Sequence, residues 1–282
     1  CCSKYPSFDA ISTTSDFGNR SMTRSARRGQ GSAVGILIDR STPMYVAIVG
    51  ALKAGARYVP IDAKAPRDRI EYITADAGVQ ILLTSRDKAE ESAGLPLRQV
   101  FVDDLEVLLH APDPTRPHLP DPYDPVAYVL YPSGSTGRPK RVAHTLDSLT
   151  TVHGEQPPRT WLCPYTPGAY AWWQVVTLGL RIPGQRIVFV EPGRLDDWAE
   201  IALAHGVDAA SGTPTFWRQA LLRSGESLAR IPFRQLTLGG EPVDQPVLDQ
   251  LTAAFPGARV SWIYASSEAG ASIAVHDGRA GF

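Results

Sequence analysis

The sequence predicts an α/β fold in which mainly parallel sheets are flanked by helices. From Val34 onward, short apolar segments of strand character alternate with segments that have helix boundaries, and glycine-containing turns follow several of the strands. Such alternation is typical of parallel strands covered by helices on both faces. The chain has 282 residues, of which 43% are hydrophobic and 20% charged, which is typical of a globular protein.

The first half of the alternation has the clearest boundaries. Ser41 and Thr42 stand where a helix begins, and Gly55 stands where it ends, as is common for helix caps. We predict strand, helix, strand, helix and strand at residues 34–38, 43–54, 58–61, 66–76 and 79–84.

A second series of elements follows an apolar strand at residues 126–131. We predict strands at residues 186–190, 207–210, 235–238 and 260–264, and helices at residues 195–205, after 211–215, and at 246–255. Residues 1–33 have no periodicity and are predicted to be an irregular segment, and residues 110–125, with six prolines, a surface linker. Residues 34–282 are then the main part of the fold.

The strand at residues 126–131 leads into a loop suited to an anion. Residues 133–140 (SGSTGRPK) contain two glycines, three hydroxyl side chains and a lysine. Glycines let backbone N–H groups approach an anion closely, while hydroxyls and a lysine supply further donors and charge. The spacing is not that of a Walker A loop. Taken alone, the segment is equally typical of a solvated turn.

Three segments together resemble the adenylate-forming enzymes, a superfamily that includes acyl-CoA synthetases and the adenylation domains of nonribosomal peptide synthetases. These are residues 128–140 (YVLYPSGSTGRPK), 52–62 (LKAGARYVPID) and 260–270 (VSWIYASSEAG). The resemblance covers residues 34–282 and corresponds to part of the family's large subdomain, without its small C-terminal domain. Arg141 and Pro132 depart from the family pattern, in which glycine and a hydroxyl residue are usual.

The resemblance implies roles for individual residues. An aromatic ring at a strand end is suited to a purine, and a carboxylate is suited to Mg²⁺. The implied catalytic residues are Lys140 and Glu268, and the implied metal ligands are Glu268 and Thr136. The implied nucleotide-binding residues are Ser133, Gly134, Ser135, Thr136, Gly137, Lys140, Gly239, Gly240, Glu241, Tyr264 and Ser267.

An aromatic segment at residues 161–173 stands where the family lines its acyl pocket. Tyr165, Tyr170 and Trp172 are the predicted pocket residues, although aromatic core packing explains each of them equally well. No acidic residue lies between Gln156 and Arg186. A buried ammonium without a counter-charge is costly, so an aryl or fatty acyl acid is expected rather than an ordinary α-amino acid.

The resemblance implies an AMP-forming ligase that uses ATP and Mg²⁺ to activate a carboxylic acid for transfer to a carrier-protein phosphopantetheine or to CoA. The alternative is a degenerate, non-catalytic nucleotide-binding remnant. We expect the chain to be an incomplete fragment, poorly active alone. Its formal net charge of −1 and lack of a long apolar run indicate neither a nucleic-acid nor a membrane partner. Three cysteines without metal or disulfide spacing suggest a cytoplasmic location, and secondary metabolism is the expected setting.

Overall fold

The chain forms two compact units, Cys1–Asp147 and Ser148–Phe282. Each unit is built on one six-stranded sheet. The protein is described by a computed structural model, which covers residues 32–39, 41–103, 126–131, 139–149, 152, 154–165, 169–190, 197–223, 225–266, 270–276 and 278–280. The predicted α/β fold with mainly parallel sheets is confirmed.

The first sheet has the strand order β4-β3-β1-β2-β5-β6. Its neighbouring strands are parallel, except that β6 runs antiparallel to β5. The elements of this unit are β1 (Ala33–Leu37), α1 (Thr42–Lys53), β2 (Arg57–Pro60), α2 (Arg67–Asp76), β3 (Val79–Thr84), a 3₁₀ helix (Arg86–Lys88), α3 (Ala89–Ser92), β4 (Arg98–Phe101), β5 (Val126–Leu130) and β6 (Val142–Thr145).

Helix α2 covers one face of this sheet. Its apolar residues Ile70 and Ile73 are buried in a cluster with Val59, Leu82 and Val129. They are three positions apart, which puts both side chains on one face of a helix. The neighbouring face of α2, with Arg69, Tyr72 and Asp76, makes other contacts, which are described below.

Three aromatic rings form a stack across β2, β5 and the edge strand β6 of the first sheet. The ring centroids of Tyr58 and Tyr128 are 5.4 Å apart, and those of Tyr128 and His144 are 5.3 Å apart. The three residues are register partners on β2, β5 and β6, so the strand pairing itself aligns their rings. His144, which had no clear role in the sequence, is a buried part of this stack.

The second sheet has the strand order β12-β11-β10-β9-β7-β8, again parallel except at one edge, where β12 runs antiparallel to β11. The short helix α4 (Leu146–Leu149) contains the boundary between the units. The elements of the second unit are β7 (Arg159–Cys163), α5 (Tyr170–Arg181), β8 (Gln185–Phe189), α6 (Trp198–Ala204), β9 (Ala209–Gly212), α7 (Pro214–Arg223), α8 (Gly225–Ala229), β10 (Gln235–Gly239), α9 (Gln245–Ala254), β11 (Arg259–Ser266) and β12 (Gly270–Val275).

A chain of aromatic side chains fills the core of this unit. Trp198, Phe216, Trp217, Phe233 and Phe255 are all buried, and each ring contacts at least one other at a centroid distance of 5.1 to 6.5 Å. The ring pairs are edge-on or tilted, which are arrangements that aromatic rings favour. These contacts hold α6, α7 and α9 against one face of the sheet.

The predicted strands and helices are present within a few residues of the expected positions, and β3 matches at both ends. Strands β4, β6, β7 and β12 were not predicted. Residues 1–31 and the linker at residues 110–125 lie outside the described residues, so the division at residue 33 stays a prediction. Within the described part of the chain, no helix is long and apolar enough to cross a membrane.

Candidate functional site

The carboxyl ends of the parallel strands in the second sheet gather several of the predicted residues. Tyr165 follows β7, Ser211 lies in β9, and Gly239 and Gly240 stand at the end of β10. Tyr264 lies near the end of β11, the next strand. In an open α/β sheet, ligands bind beyond the carboxyl ends of the strands, so this edge is the candidate site in this unit.

Tyr165 is the buried centre of this edge. Its hydroxyl oxygen lies 3.2 Å from Ser211 Oγ, a hydrogen-bond distance. The same hydroxyl is 3.5 Å from the position that a Cβ atom would take at Gly239, and Tyr165 Cε1 is 3.9 Å from the corresponding position at Gly240. The ring therefore packs directly against the glycine turn. Burial raises the pKa of the Tyr165 hydroxyl well above its usual value, so the group stays neutral and can donate.

The glycine turn has a conformation that suits glycine. Gly240 has a φ of +82°, in the left-handed region that L side chains rarely adopt. A side chain at Gly239 would project toward Ile263 O and the Tyr165 hydroxyl. Gly239 is buried beneath the Tyr165 ring, whereas Gly240 is exposed and leaves its backbone without a side chain to cover it.

Glu241, predicted to bind nucleotide, uses its side chain within the protein. Glu241 Oε2 accepts a hydrogen bond of 3.0 Å from the N–H of Thr215, in the first turn of α7. Thr213 Oγ1 accepts a second one, of 3.1 Å, from Phe216 N–H. These acceptors satisfy donors that a helix N-terminus leaves open. Glu241 thereby fixes the glycine turn to α7, and a nucleotide-binding role for it stays a prediction.

The residues after the glycine turn are tied to the same helices. Asp244 Oδ1 accepts from Val247 N–H and caps α9, and Arg218 Nη2 of α7 donates to Asp244 Oδ2 at 2.6 Å. These two contacts lower the pKa of the exposed Asp244 carboxyl, the backbone hydrogen bond from Val247 being the stronger cause. Residues 239–244 are therefore anchored on both sides.

Tyr264 is the exposed aromatic residue of this edge. It is 52% exposed although it lies within β11, whose preceding residues 260–262 are buried. The exposed ring has a flat apolar face at the edge of the site, and such a face suits a planar ligand. Ser267 and Glu268, three and four residues further on, lie outside the described residues.

The predicted pocket residues on α5 are buried. Tyr170 donates a hydrogen bond of 3.1 Å to Ser148 O, and the Trp172 ring contacts Trp173 at 5.0 Å and Phe189 at 6.0 Å between centroids. Trp172 is 1% exposed, so its ring contributes to core packing, as the alternative explanation had it. A role for Tyr170 and Trp172 in binding an acyl group stays a prediction.

In the first unit, the described residues include both ends of the predicted phosphate loop. Tyr131 and Pro139 flank residues 132–138, which lie outside the described residues. This stretch includes the predicted site residues Ser133 to Gly137. Lys140 is exposed, as a cation for a soluble polyphosphate must be. Three side chains of α2 contact the two flanking residues.

Several of these residues are not indicated by the sequence alone. The sequence places Ser211 in a helix cap and Arg69 in a structural motif, and it gives no role to Tyr72 or Asp76. The available signal is periodicity, since positions 69, 72 and 76 share one helix face. Among the described residues, no group of three or more His, Cys, Asp or Glu side chains could hold a metal ion, and the predicted ligands Thr136 and Glu268 lie outside this set.

A family model described as AMP-binding enzyme matches residues 22–281 of the chain. Among curated proteins, surfactin synthase subunit 1 of Bacillus subtilis is 30% identical over 269 residues, which are 88% of this chain and 7% of that protein. Gramicidin S synthase 2 of Brevibacillus brevis is 40% identical over 121 residues, which are 43% of this chain and 3% of that protein. The chain thus spans a small part of the length of these relatives.

Solved structures share the fold. The N-terminal subdomain of NpsA from Klebsiella oxytoca superposes with a TM-score of 0.76 at 19% identity, covering 97% of this chain and 71% of that one. An acyl-CoA synthetase of Brucella canis superposes with a TM-score of 0.78 at 22% identity, covering 98% of this chain and 54% of that one. At identities of 19% and 22%, these superpositions show a shared α/β fold and nothing about activity.

Proposed function

This chain belongs to the AMP-binding enzyme family, and we propose that it takes part in AMP-forming activation of a carboxylic acid. In this reaction a carboxylate oxygen attacks the α-phosphorus of ATP, the bond to the β-phosphate oxygen breaks, and acyl-adenylate and pyrophosphate result. A thiol then displaces AMP to give a thioester. The protein's task is to hold the two reactants in line and to offset the charge that develops on the phosphates.

The observation that carries the proposal is that an exposed glycine, Gly240, and an exposed aromatic ring, Tyr264, lie at the same end of adjacent strands. Gly239 of β10 pairs with Ile263 of β11, which directly precedes Tyr264. An adenine ring is flat and apolar on its faces and carries hydrogen-bonding groups on its edge. The backbone of the turn suits the edge of such a ring and Tyr264 suits its face.

The polyphosphate would be bound by residues 133–137 and Lys140. Backbone N–H groups at Gly134 and Gly137 and the hydroxyls of the loop are suited to phosphate oxygens, and the exposed Lys140 adds a positive charge. We propose Glu268 and Thr136 as the ligands of Mg²⁺, which prefers oxygen donors and keeps several waters. When bound, the ion would offset phosphate charge.

Two observations support a substrate class. Tyr165 and Ser211 present neutral hydroxyls there, and the Glu241 carboxylate accepts a hydrogen bond from α7. With no acidic residue between Gln156 and Arg186, an ammonium group would lack a counter-charge from this segment. We therefore propose an aryl or fatty acyl acid rather than an ordinary α-amino acid.

The acceptor thiol would be the phosphopantetheine of a carrier protein or CoA. Residues 52–62, which resemble peptide-synthetase adenylation domains, favour the carrier protein. The curated relatives include surfactin and gramicidin S synthases, and one related structure is an artificially fused adenylation–PCP di-domain from Klebsiella oxytoca.

Binding of ATP, measured by calorimetry with and without Mg²⁺, tests the nucleotide half of the proposal. We expect weak binding that strengthens with Mg²⁺. Non-hydrolysable acyl-adenylate analogues with benzoyl, decanoyl and aminoacyl groups then test the substrate class, and the first two should bind more tightly than the third. Absence of ATP binding at every Mg²⁺ concentration would favour a degenerate remnant, and preference for the aminoacyl analogue would refute the substrate class.

A further inference from the structure

Helix α2 contacts both residues at which the predicted phosphate loop leaves and rejoins the described chain. Arg69 Nη2 donates to Tyr131 O at 3.2 Å, and the Tyr131 hydroxyl donates to Asp76 Oδ2 at 2.5 Å. On the other side of the loop, the Tyr72 hydroxyl donates to Pro139 O at 3.5 Å. The rings of Tyr72 and Tyr131 also meet edge to face, with centroids 6.3 Å apart.

The strand pairing does not include these two flanking residues. The last paired residues of β5 and β6 are Leu130 and Val142, so Tyr131 and Pro139 lie beyond the ladder. Helix α2 supplies a side-chain donor to each of their backbone carbonyls. Pro139, which has no N–H, can take part only through its carbonyl.

The sequence of α2 is arranged for this contact. Arg69, Tyr72 and Asp76 recur at intervals of three and four residues, which places them along one helix face. Ile70 and Ile73 form the neighbouring face, which is buried against the sheet. One helix therefore packs into the core with one face and binds the ends of the loop with the next.

The contact between Tyr131 and Asp76 is the strongest of the three by its chemistry. A carboxylate acceptor makes a hydrogen bond shorter and stronger than a neutral one. Burial raises the pKa of the Tyr131 hydroxyl well above its usual value, and the bond to Asp76 adds to this effect. Tyr131 is 9% exposed, and its hydroxyl remains a protonated donor throughout the neutral range.

We propose that Arg69, Tyr72 and Asp76 are positioning residues that hold the two ends of the phosphate loop through Tyr131 and Pro139. This inference rests on the proposed function of residues 133–140. A glycine-rich segment loses much conformational entropy when it closes on an anion. Ends that are already fixed reduce this loss, so more of the interaction with phosphate remains as affinity.

Two variants and a matched control test the inference. Tyr131→Phe removes one hydroxyl and keeps the ring, and Asp76→Asn removes the charge of its acceptor. Glu71→Gln alters the same helix at an exposed residue whose partner is Arg67, away from the loop. We expect the two variants to bind Mg·ATP up to about tenfold more weakly. A hydrogen bond to a charged group contributes about 1.5 kcal/mol, and the nucleotide must then supply part of it to order the loop ends. Affinity for adenosine, which lacks phosphate, should stay unchanged in all three.

Hydrogen exchange of the backbone amides of residues 130–142 is the second measurement and needs no nucleotide. Exchange there should become faster in Tyr131→Phe and Asp76→Asn and remain unchanged in Glu71→Gln. Unchanged exchange in both variants would overturn the inference, whether or not the wild-type protein binds ATP. Failure of the wild-type protein to bind ATP would refute only the proposed function. Equal losses for ATP and adenosine would also overturn it, because they indicate general damage. If Asp76→Asn does not fold, Tyr131→Phe decides alone.

Discussion

The hydroxyl oxygens of Tyr165 and Ser211 lie 3.2 Å apart and connect the ends of β7 and β9, two neighbouring strands of the second sheet. Both residues are buried, so water cannot readily replace either partner. Because the ring of Tyr165 also packs against the turn at Gly239 and Gly240, this hydrogen bond fixes the base of the candidate site.

Loss of the Tyr165 hydroxyl should destabilise the second unit. Tyr165→Phe leaves the buried Ser211 hydroxyl without this partner, and we expect the free energy of unfolding to fall by about 1–3 kcal/mol. Thr252→Val, which removes an exposed hydroxyl on α9, is the control, and its unfolding free energy should change by less than about 0.5 kcal/mol. Urea unfolding of the two variants compares them. Equal stability of both variants would contradict the role of the buried pair.

Alkaline pH should weaken the fold through the same residue. The folded pKa of Tyr165 is raised above the ordinary value of 10.0, so the neutral form is favoured on folding. Its stabilising contribution is complete below pH 10 and is lost as the pH rises toward the folded pKa, because the unfolded chain releases its proton first. The free energy of unfolding should fall by about 1.4 kcal/mol per pH unit in that window on account of one such group.

Unfolding of wild-type protein and of Tyr165→Phe between pH 9 and pH 11 isolates the contribution of Tyr165 to the pH dependence of stability. The difference in stability between the two proteins should shrink above pH 10. A difference that stays constant over this range would show that Tyr165 does not carry the effect. Tyr131→Phe serves as a second comparison, since the pKa of Tyr131 is raised in the same direction.

Gly240 should tolerate asparagine better than alanine. A Cβ atom there would lie 3.7 Å from Thr213 Cγ2 and 3.9 Å from Tyr165 Cε1, ordinary contact distances, so space is not the constraint. The positive φ is the constraint, and it costs alanine about 1 kcal/mol or more, whereas asparagine tolerates this region. Thermal unfolding should therefore order the proteins as wild type, Gly240→Asn and Gly240→Ala. The reverse order of the two variants would exclude backbone conformation as the cause.

Substitution of Glu268 by glutamine should remove the Mg²⁺ dependence of ATP binding. The change retains size but removes the charge that a hard divalent cation prefers. Calorimetric titration of ATP at increasing Mg²⁺ should then give one affinity for Glu268→Gln and a rising affinity for the wild type. Glu200→Gln, in α6, is the control. A wild-type response to Mg²⁺ in Glu268→Gln would exclude this residue as a ligand.

The parallel strands and their helices were predictable because each carries a complete local signal. β3 is a run of apolar residues bounded by Gly78 and Ser85, and α9 begins behind Asp244 and contains regularly spaced apolar residues. The edge strands lack such a signal. β6 has only four residues, with His144 and Thr145 among them, and its place depends on pairing with β5 rather than on its own pattern.

The contacts within the candidate site were only partly predictable. Residue types indicated that the turn at Gly239 and Gly240 and the ring of Tyr264 belong to a binding edge. They did not indicate that Glu241 would cap α7, because that hydrogen bond joins residues 26 positions apart. β7 was missed because residues 161–173 were interpreted together as an aromatic pocket segment, whereas Trp161 and Cys163 form part of a paired strand.

The antiparallel pairing of β5 with β6 makes residues 131–141 the connection of a β-hairpin whose stem is fixed by the register of Leu130 and Val142. Changes in the length of that connection need not alter the sheet, since doubling a flexible loop costs only about 0.6 kcal/mol in closure entropy. A change of length between Tyr131 and Pro139 would therefore affect the proposed phosphate contacts more than the stability of the sheet. For protein engineering, connections from relatives are best exchanged between these two residues, because Tyr131 belongs to the buried core and both residues contact α2.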